Sequence, residues 1–129
     1  MQYEELTKKI IGCAYTVYNK MGFGFLESVY QNCLTIELAK QNLKAEQQKE
    51  IVVQYDSQIV GRFRADIVVE NQILIELKSV SRLNKAHEVQ LVNYLVATGM
   101  NVGLLINSGE TKVEVRRKIR DLGLLQNEQ

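Results

Sequence analysis

The apolar positions change period along the chain, and each period assigns an element. Leu6, Ile10, Cys13, Ala14, Val17 and Met21 recur at helical spacing with charged residues between them, which predicts an amphipathic first helix of about five turns. Gly22-Phe23-Gly24 ends it, because glycine permits the positive φ of a tight reversal. A second helix carries Leu26, Val29, Tyr30, Cys33, Leu34 and Leu38 at core spacing and fades near Gln41-Asn42. From Lys44 the pattern shifts toward period two, giving a strand that ends at Tyr55, with Asp56-Ser57-Gln58 as the turn. The next run places Phe63, Ala65, Ile67 and Val69 on one face and Arg62, Arg64, Asp66 and Val68 on the other. Ile73, Ile75 and Leu77 then alternate with Leu74, Glu76, Lys78 and Val80. Asn84 reads as the N-cap of a third helix that Gly99 terminates. There His87, Gln90, Leu91 and Tyr94 share one face and Val89, Val92 and Val96 another, which implies packing on two sides. Val102 to Ile106 is continuously apolar, as a buried strand in parallel contact after a helical crossover would be. Thr111 to Ile119 alternates as a last strand, with helix as the alternative. The order is α-α-β-β-β-α-β-β, and residues 123–129 read as a fraying tail.

The strand pair around Glu70-Asn71-Gln72 carries charges where a buried hairpin should have none. Two registers are open. A three-residue loop, with Val69 opposite Ile73, sets Asp66 across from Glu76 and Arg64 across from Lys78, at Cβ separations of about 4.5–5.5 Å. A register two residues tighter sets Arg64 across from Glu76 as a cross-strand ion pair. The first opposes like charges and costs stability unless a cation lies between the carboxylates. Mg²⁺ or Mn²⁺ is the natural candidate, since such an ion takes one or two carboxylates and leaves its other positions to water and phosphate oxygens. Lys78 would then lie on the same face, able to orient a water or to stabilise charge on a phosphoryl group.

Other residues carry two readings each. Glu27 faces the core side of its helix and is either a first-turn acid favouring the helix dipole or a third carboxylate aimed at the acidic pair. Gln90 and Tyr94, at i and i+4, are either boundary residues with wet polar tips or contacts to substrate. His87 reads as a capping residue and not a general base. Arg116, Arg117, Lys118 and Arg120 form the densest basic cluster, explained equally by a solvated edge or by phosphate contacts.

Composition narrows the setting. At 129 residues the chain fits one domain, residues 1–129 with a core of about 5–120. A net charge of +1 excludes nucleic-acid binding by bulk positive charge, so any phosphate contact must be local. Cys13 and Cys33 lack ligand spacing and read as packed thiols in a reducing compartment. The N-terminus, Met1 to Glu5, is acidic and shows no basic region followed by an apolar one, and no apolar run reaches the roughly 20 residues that cross a bilayer, so the expected location is cytoplasmic, with no membrane partner.

Asp66 followed by Glu76-Leu77-Lys78, in this order of elements, resembles the PD-(D/E)XK nuclease superfamily. More narrowly, Gly24-Phe25-Leu26-Glu27-Ser28-Val29-Tyr30 reads G-x-x-E-x-x-Y and is similar to the small GxxExxY protein family assigned to that superfamily. The resemblance implies an α/β, restriction-endonuclease-like core, a mixed central sheet flanked by helices. It also implies Mg²⁺ held at Asp66 and Glu76, an attacking water aided by Lys78, and an acid cluster completed by Glu27. Gln90-Leu91-Val92-Asn93-Tyr94 matches the Q-x-x-x-Y of the superfamily's exonuclease branch. The proline of the superfamily's name is absent, since Ala65 precedes Asp66. The leading expectation is a metal-dependent nuclease with Glu27, Asp66, Glu76 and the Leu77 carbonyl as ligands. Lys78 positions water in this reading, Gln90 and Tyr94 hold substrate, and Arg62, Arg64 and the Arg116 to Arg120 cluster hold the backbone. A homodimer would extend so small a platform. The alternative is a catalytically inactive nuclease-fold module that binds nucleic acid or a protein partner.

Overall fold

The structure is a computed structural model in which residues 3–120 are described; the predicted fraying tail lies outside them. The elements follow in the order α1 (Glu4–Met21), α2 (Glu27–Lys40), β1 (Ala45–Tyr55), β2 (Gln58–Val69), β3 (Ile73–Lys78), α3 (Lys85–Thr98), β4 (Val102–Ser108) and β5 (Val113–Ile119). They build one five-stranded sheet in the order β1-β2-β3-β4-β5. Every neighbouring pair is antiparallel except β3 and β4, which run parallel because α3 is the crossover between them.

Two apolar layers hold the helices to the sheet. Ile10, Cys13, Ala14 and Val17 of α1 and Tyr30, Leu34 and Leu38 of α2 close over Ile67, Ile75, Leu77, Leu104 and Ile106. On the other face Leu91 and Leu95 of α3 pack with Val68, Leu74 and Leu105. Each such side chain, fully buried, contributes roughly 1.5–3 kcal/mol. Gly103 is where α3 approaches most closely. A Cβ there would sit 2.9 Å from Leu91 Cδ1 and 3.2 Å from both Leu95 Cδ2 and the Leu74 carbonyl oxygen. Gly103→Ala should therefore cost about 1–3 kcal/mol of stability, read as a lowered urea midpoint at unchanged slope.

Local chemistry explains the element ends. Gly22 (φ 72) closes α1, and Gly99 (φ 75) closes α3. The Asn84 side chain accepts the His87 N–H while His87 Nδ1 accepts the Asn84 N–H, a reciprocal cap that occupies His87 as its position foretold. Asp56 and Ser57 (φ 50 and 63) make the first hairpin turn, and Glu70 and Asn71 (φ 55 each) the second, the left-handed pairs that match strand twist.

Several expectations need correction. Phe63, Ala65, Ile67 and Val69 do not share a face: Ala65 and Phe63 pack with α3, Ile67 and Val69 with α1 and α2. The alternation breaks at Asp66, where the β1–β2 ladder passes from Lys49–Ala65 to Gln47–Ile67 and Gln48 adopts φ 53. Leu26 is not core; it is the exposed N-cap residue of α2. Val89 and Val96 of α3 are exposed, so α3 packs on one side, because the sheet meets only its Leu91 and Leu95 face.

Candidate active site

The Val69–Ile73, Val68–Leu74 and Ile67–Ile75 pairs establish the wider hairpin register, the one that opposes like charges. The ladder stops there, so neither Asp66 and Glu76 nor Arg64 and Lys78 are ladder partners as that register would have them. Beyond Ile75 the two strands part while β3 stays bonded to β4 through Lys78 and Asn107. That fork leaves the Leu77 N–H without a strand partner on the β2 side, and a buried amide must find one. Asp66 supplies it: its Oδ2 accepts the Leu77 N–H at 2.7 Å. One carboxylate is thus fixed at the fork by the backbone beside Glu76.

Glu76 is buried, with only 7% of its surface exposed, and its Oε1 has no hydrogen-bond partner. Burial pushes its carboxyl up to about 8, and the negative charge of Asp66 and a proton shared with it push the same way. Lys78, half-buried at the end of β3, pulls against this as the weakest of the causes. Without a cation, Glu76 therefore keeps a proton below about pH 8, and its Oε1 is left shielded from water and without a partner. A small hard cation fits that oxygen chemically, since carboxylates are its preferred ligands and its charge removes the repulsion between the two acids.

Tyr94 and Gln90 both lie on α3. Tyr94 stacks on Phe63 with ring centroids 3.7 Å apart and planes within 15°. Burial raises its phenol, and the charges of Glu76 and then Asp66 add to the shift, which sets Tyr94 within electrostatic reach of both acids. Gln90 lies one turn earlier and is exposed.

Two glutamines that sequence reasoning missed complete the surroundings. Gln48 donates to Gln31 Oε1 at 2.7 Å and lies 3.5 Å from Asp66 Oδ1. Gln31 is buried on α2. Its spacing, three before Leu34 and seven before Leu38, was the signal that could have exposed it as a polar residue on a core face.

Other candidates stand apart. Glu27 is the exposed first residue of α2, a first-turn acid, and among the described residues no group of three His, Cys, Asp or Glu side chains is arranged to hold a metal. The predicted convergence is therefore of two acids, not three. Its loop does reach the site's edge, since the Phe25 carbonyl accepts a hydrogen bond from Ser79, the residue after Lys78. Arg62 is paired with Glu50 at 2.8 Å. Because Phe63 and Ala65 face α3, Arg62 and Arg64 fall on the opposite face of the sheet from the acidic pair's α3 side. In the basic cluster Lys118 lies 2.6 Å from Glu88, Arg116 lies within 4 Å of Glu88 and Glu114, and Arg120 bonds Asn101. Lys118 and Arg116 tie β5 to α3 through Glu88, and Arg120, just past β5, bonds the residue just before β4. Cys13 and Cys33 are free thiols. No helix among the described residues is long and apolar enough to cross a membrane.

The sheet forks at paired carboxylates, with a lysine two residues beyond the second. The PD-(D/E)XK nuclease superfamily matches residues 4–118. The chain belongs to that superfamily. Its mixed five-stranded sheet flanked by helices is the superfamily's nuclease-like fold. A solved structure titled "Crystal structure of SSO0001" superposes with a TM-score of 0.57 at 20% identity, over 97% of this chain and 63% of that one. At that identity the likeness is one of fold, and this chain spans less than two thirds of the other's length. No match is found among curated proteins.

Proposed function

We propose that this PD-(D/E)XK protein hydrolyses phosphodiester bonds of DNA or RNA with Mg²⁺ or Mn²⁺ held at Asp66 and Glu76, and that it falls in the GxxExxY group through Gly24, Glu27 and Tyr30. The observation that carries the reading is the fork itself. Asp66 is locked onto the Leu77 N–H, and beside it Glu76 keeps a buried oxygen with no partner. A burial so costly to an isolated acid is what a cation site looks like before the cation's charge is counted.

The bound cation would polarise the phosphate and lower the proton affinity of water. The chain's own residues do the rest. Asp66 and Glu76 supply the carboxylate ligands, with the Leu77 carbonyl beside them. Lys78 holds a positive charge two residues past Glu76, where it orients the attacking water and balances charge on the phosphoryl oxygens. Tyr94, its phenol pushed up by burial and then by the charges of Glu76 and Asp66, donates to a phosphate oxygen, and Gln90 on the same helix contacts the substrate from the exposed side. Glu27 stands at the rim of the site, at the start of α2. We place the protein in the cytoplasm, where its two thiols remain reduced. The exposed Val89 and Val96 of α3 support a homodimer.

Calorimetric titration with Mn²⁺ at pH 8, paired with cleavage of single- and double-stranded DNA and RNA, tests the proposal. Wild-type protein should bind the ion and cut at least one substrate, and Glu76→Ala should do neither. Wild-type protein that binds no Mn²⁺ would reduce the chain to a non-catalytic module on a nuclease scaffold.

A further inference from the structure

The loop that brings α1 into α2 carries a feature the hydrolytic chemistry does not use. Phe23, Phe25 and Leu26 are 41%, 45% and 77% exposed, three large apolar side chains within four consecutive residues. Burying one such side chain is worth roughly 1.5–3 kcal/mol, so leaving three in water together forgoes a gain the fold could have taken.

The loop is not loose. Gly22 (φ 72) and Gly24 (φ 114) take conformations that other residues rarely adopt and set the chain's path on either side of Phe23. The Tyr30 hydroxyl donates to the Gly22 carbonyl and accepts the Phe25 N–H at 3.3 Å. The Phe25 carbonyl accepts from Ser79 Oγ at 2.7 Å. Both backbone groups of Phe25 are thereby tied, one to α2 and one to the residue following Lys78. The Phe25 ring meets Tyr30 steeply, with centroids 6.2 Å apart and planes at 78°, so the two rings are not stacked face on face. The Phe25 backbone is held beside the end of β3, against the residue that follows Lys78.

We propose that Phe23, Phe25 and Leu26 form a platform on which an unpaired nucleobase adjoining the cleaved phosphate stacks, so that the preferred substrate has a single-stranded or frayed segment at the cut. This rests on the nuclease reading above. Aromatic side chains bind unpaired bases of any sequence through their faces, whereas paired bases inside a duplex present no face to them. A net charge of +1 means the chain cannot hold a strand by bulk attraction, and stacking supplies sequence-tolerant affinity that charge does not. The rigid loop meets the base already ordered, which removes much of the entropic cost of binding.

The test uses the full chain with Ca²⁺, at one fixed salt concentration, and two oligonucleotides of equal length: a single strand containing 2-aminopurine and a blunt duplex. Phe23→Ala and Leu26→Ala remove exposed groups and should fold normally. Phe25→Leu keeps an apolar contact to Tyr30. Wild-type protein should change the 2-aminopurine emission on binding, and Phe23→Ala should bind the single strand roughly 5- to 100-fold more weakly with duplex affinity unchanged. Single-strand affinity equal to wild type in all three variants, or an equal loss on single strand and duplex, would overturn the platform. Mn²⁺ titration of the same proteins separates the two readings. Intact Mn²⁺ binding with unaltered single-strand affinity rejects the platform alone, whereas wild-type protein that binds no Mn²⁺ rejects the nuclease reading on which it stands.

Discussion

Glu76→Gln stabilises the metal-free protein, and the gain grows as the pH rises. The Glu76 carboxyl titrates near 8 in the folded chain, against an ordinary value of 4.5, because it is buried and faces Asp66. Below pH 4.5 both folded and unfolded chains carry the proton, and the shift has no effect. Between 4.5 and about 8 the folded chain keeps a proton that the unfolded chain has lost, so folding takes up a proton and stability falls with each rise in pH. Above 8 both forms are ionised and the full penalty stands, on the order of 5 kcal/mol for a shift of this size. Glutamine removes the ionisable group while keeping its shape and a donor for Asp66. Urea unfolding in EDTA should show the variant ahead by a few kcal/mol at pH 8 and level with wild type near pH 4.5. Parallel stability curves for the two proteins across that range would sink the idea. Excess Mn²⁺ should narrow the gap at pH 8, since a ligand at 100 times its dissociation constant stabilises the folded state that binds it by about 2.7 kcal/mol.

That coupling of burial and charge was partly legible in the sequence. Period-two alternation located the hairpin, and the short Glu70-Asn71-Gln72 loop left few registers, so the like-charge opposition of Asp66 and Glu76 could be posed as a question. The cap at Asn84 and His87 and the stop at Gly99 were also readable, because capping is chemistry between near neighbours. What escaped was set by contacts distant in sequence. The face switch at Asp66 depends on Gln48 taking a left-handed conformation, which no local propensity announces in a glutamine. The basic run looked free because its partner Glu88 lies on another element. Leu26, Val89 and Val96 have core residue types at core spacing. Whether a second layer covers them is a property of topology, and here none does among the described residues. Glu27 shows the same limit from the other side: helical phase turned it toward the core face, yet it stands exposed as the first residue of α2.

Lys78→Met separates the lysine's chemistry from its packing. Methionine preserves an unbranched apolar stem in the half-buried position at the end of β3 while deleting the ammonium. The paired carboxylates remain, and Asp66 stays bonded to the Leu77 N–H, so Mn²⁺ titration should still detect the ion. In the proposed mechanism, what disappears is the positive charge facing the reacting phosphate. Loss of one such group typically reduces turnover about 10²–10³-fold, and the loss should fall on kcat with little change in KM. Arginine should restore little of it, because a planar fork cannot place charge where a compact ammonium on a flexible stem does. Removing Lys78 also takes away the one cation that opposes the upward shift of Glu76, so metal-free Lys78→Met should lose stability between pH 5 and 8 more steeply than wild type. Wild-type turnover in a folded, Mn²⁺-binding Lys78→Met would remove the lysine from the reaction and leave the carboxylate pair to account for the chemistry without it.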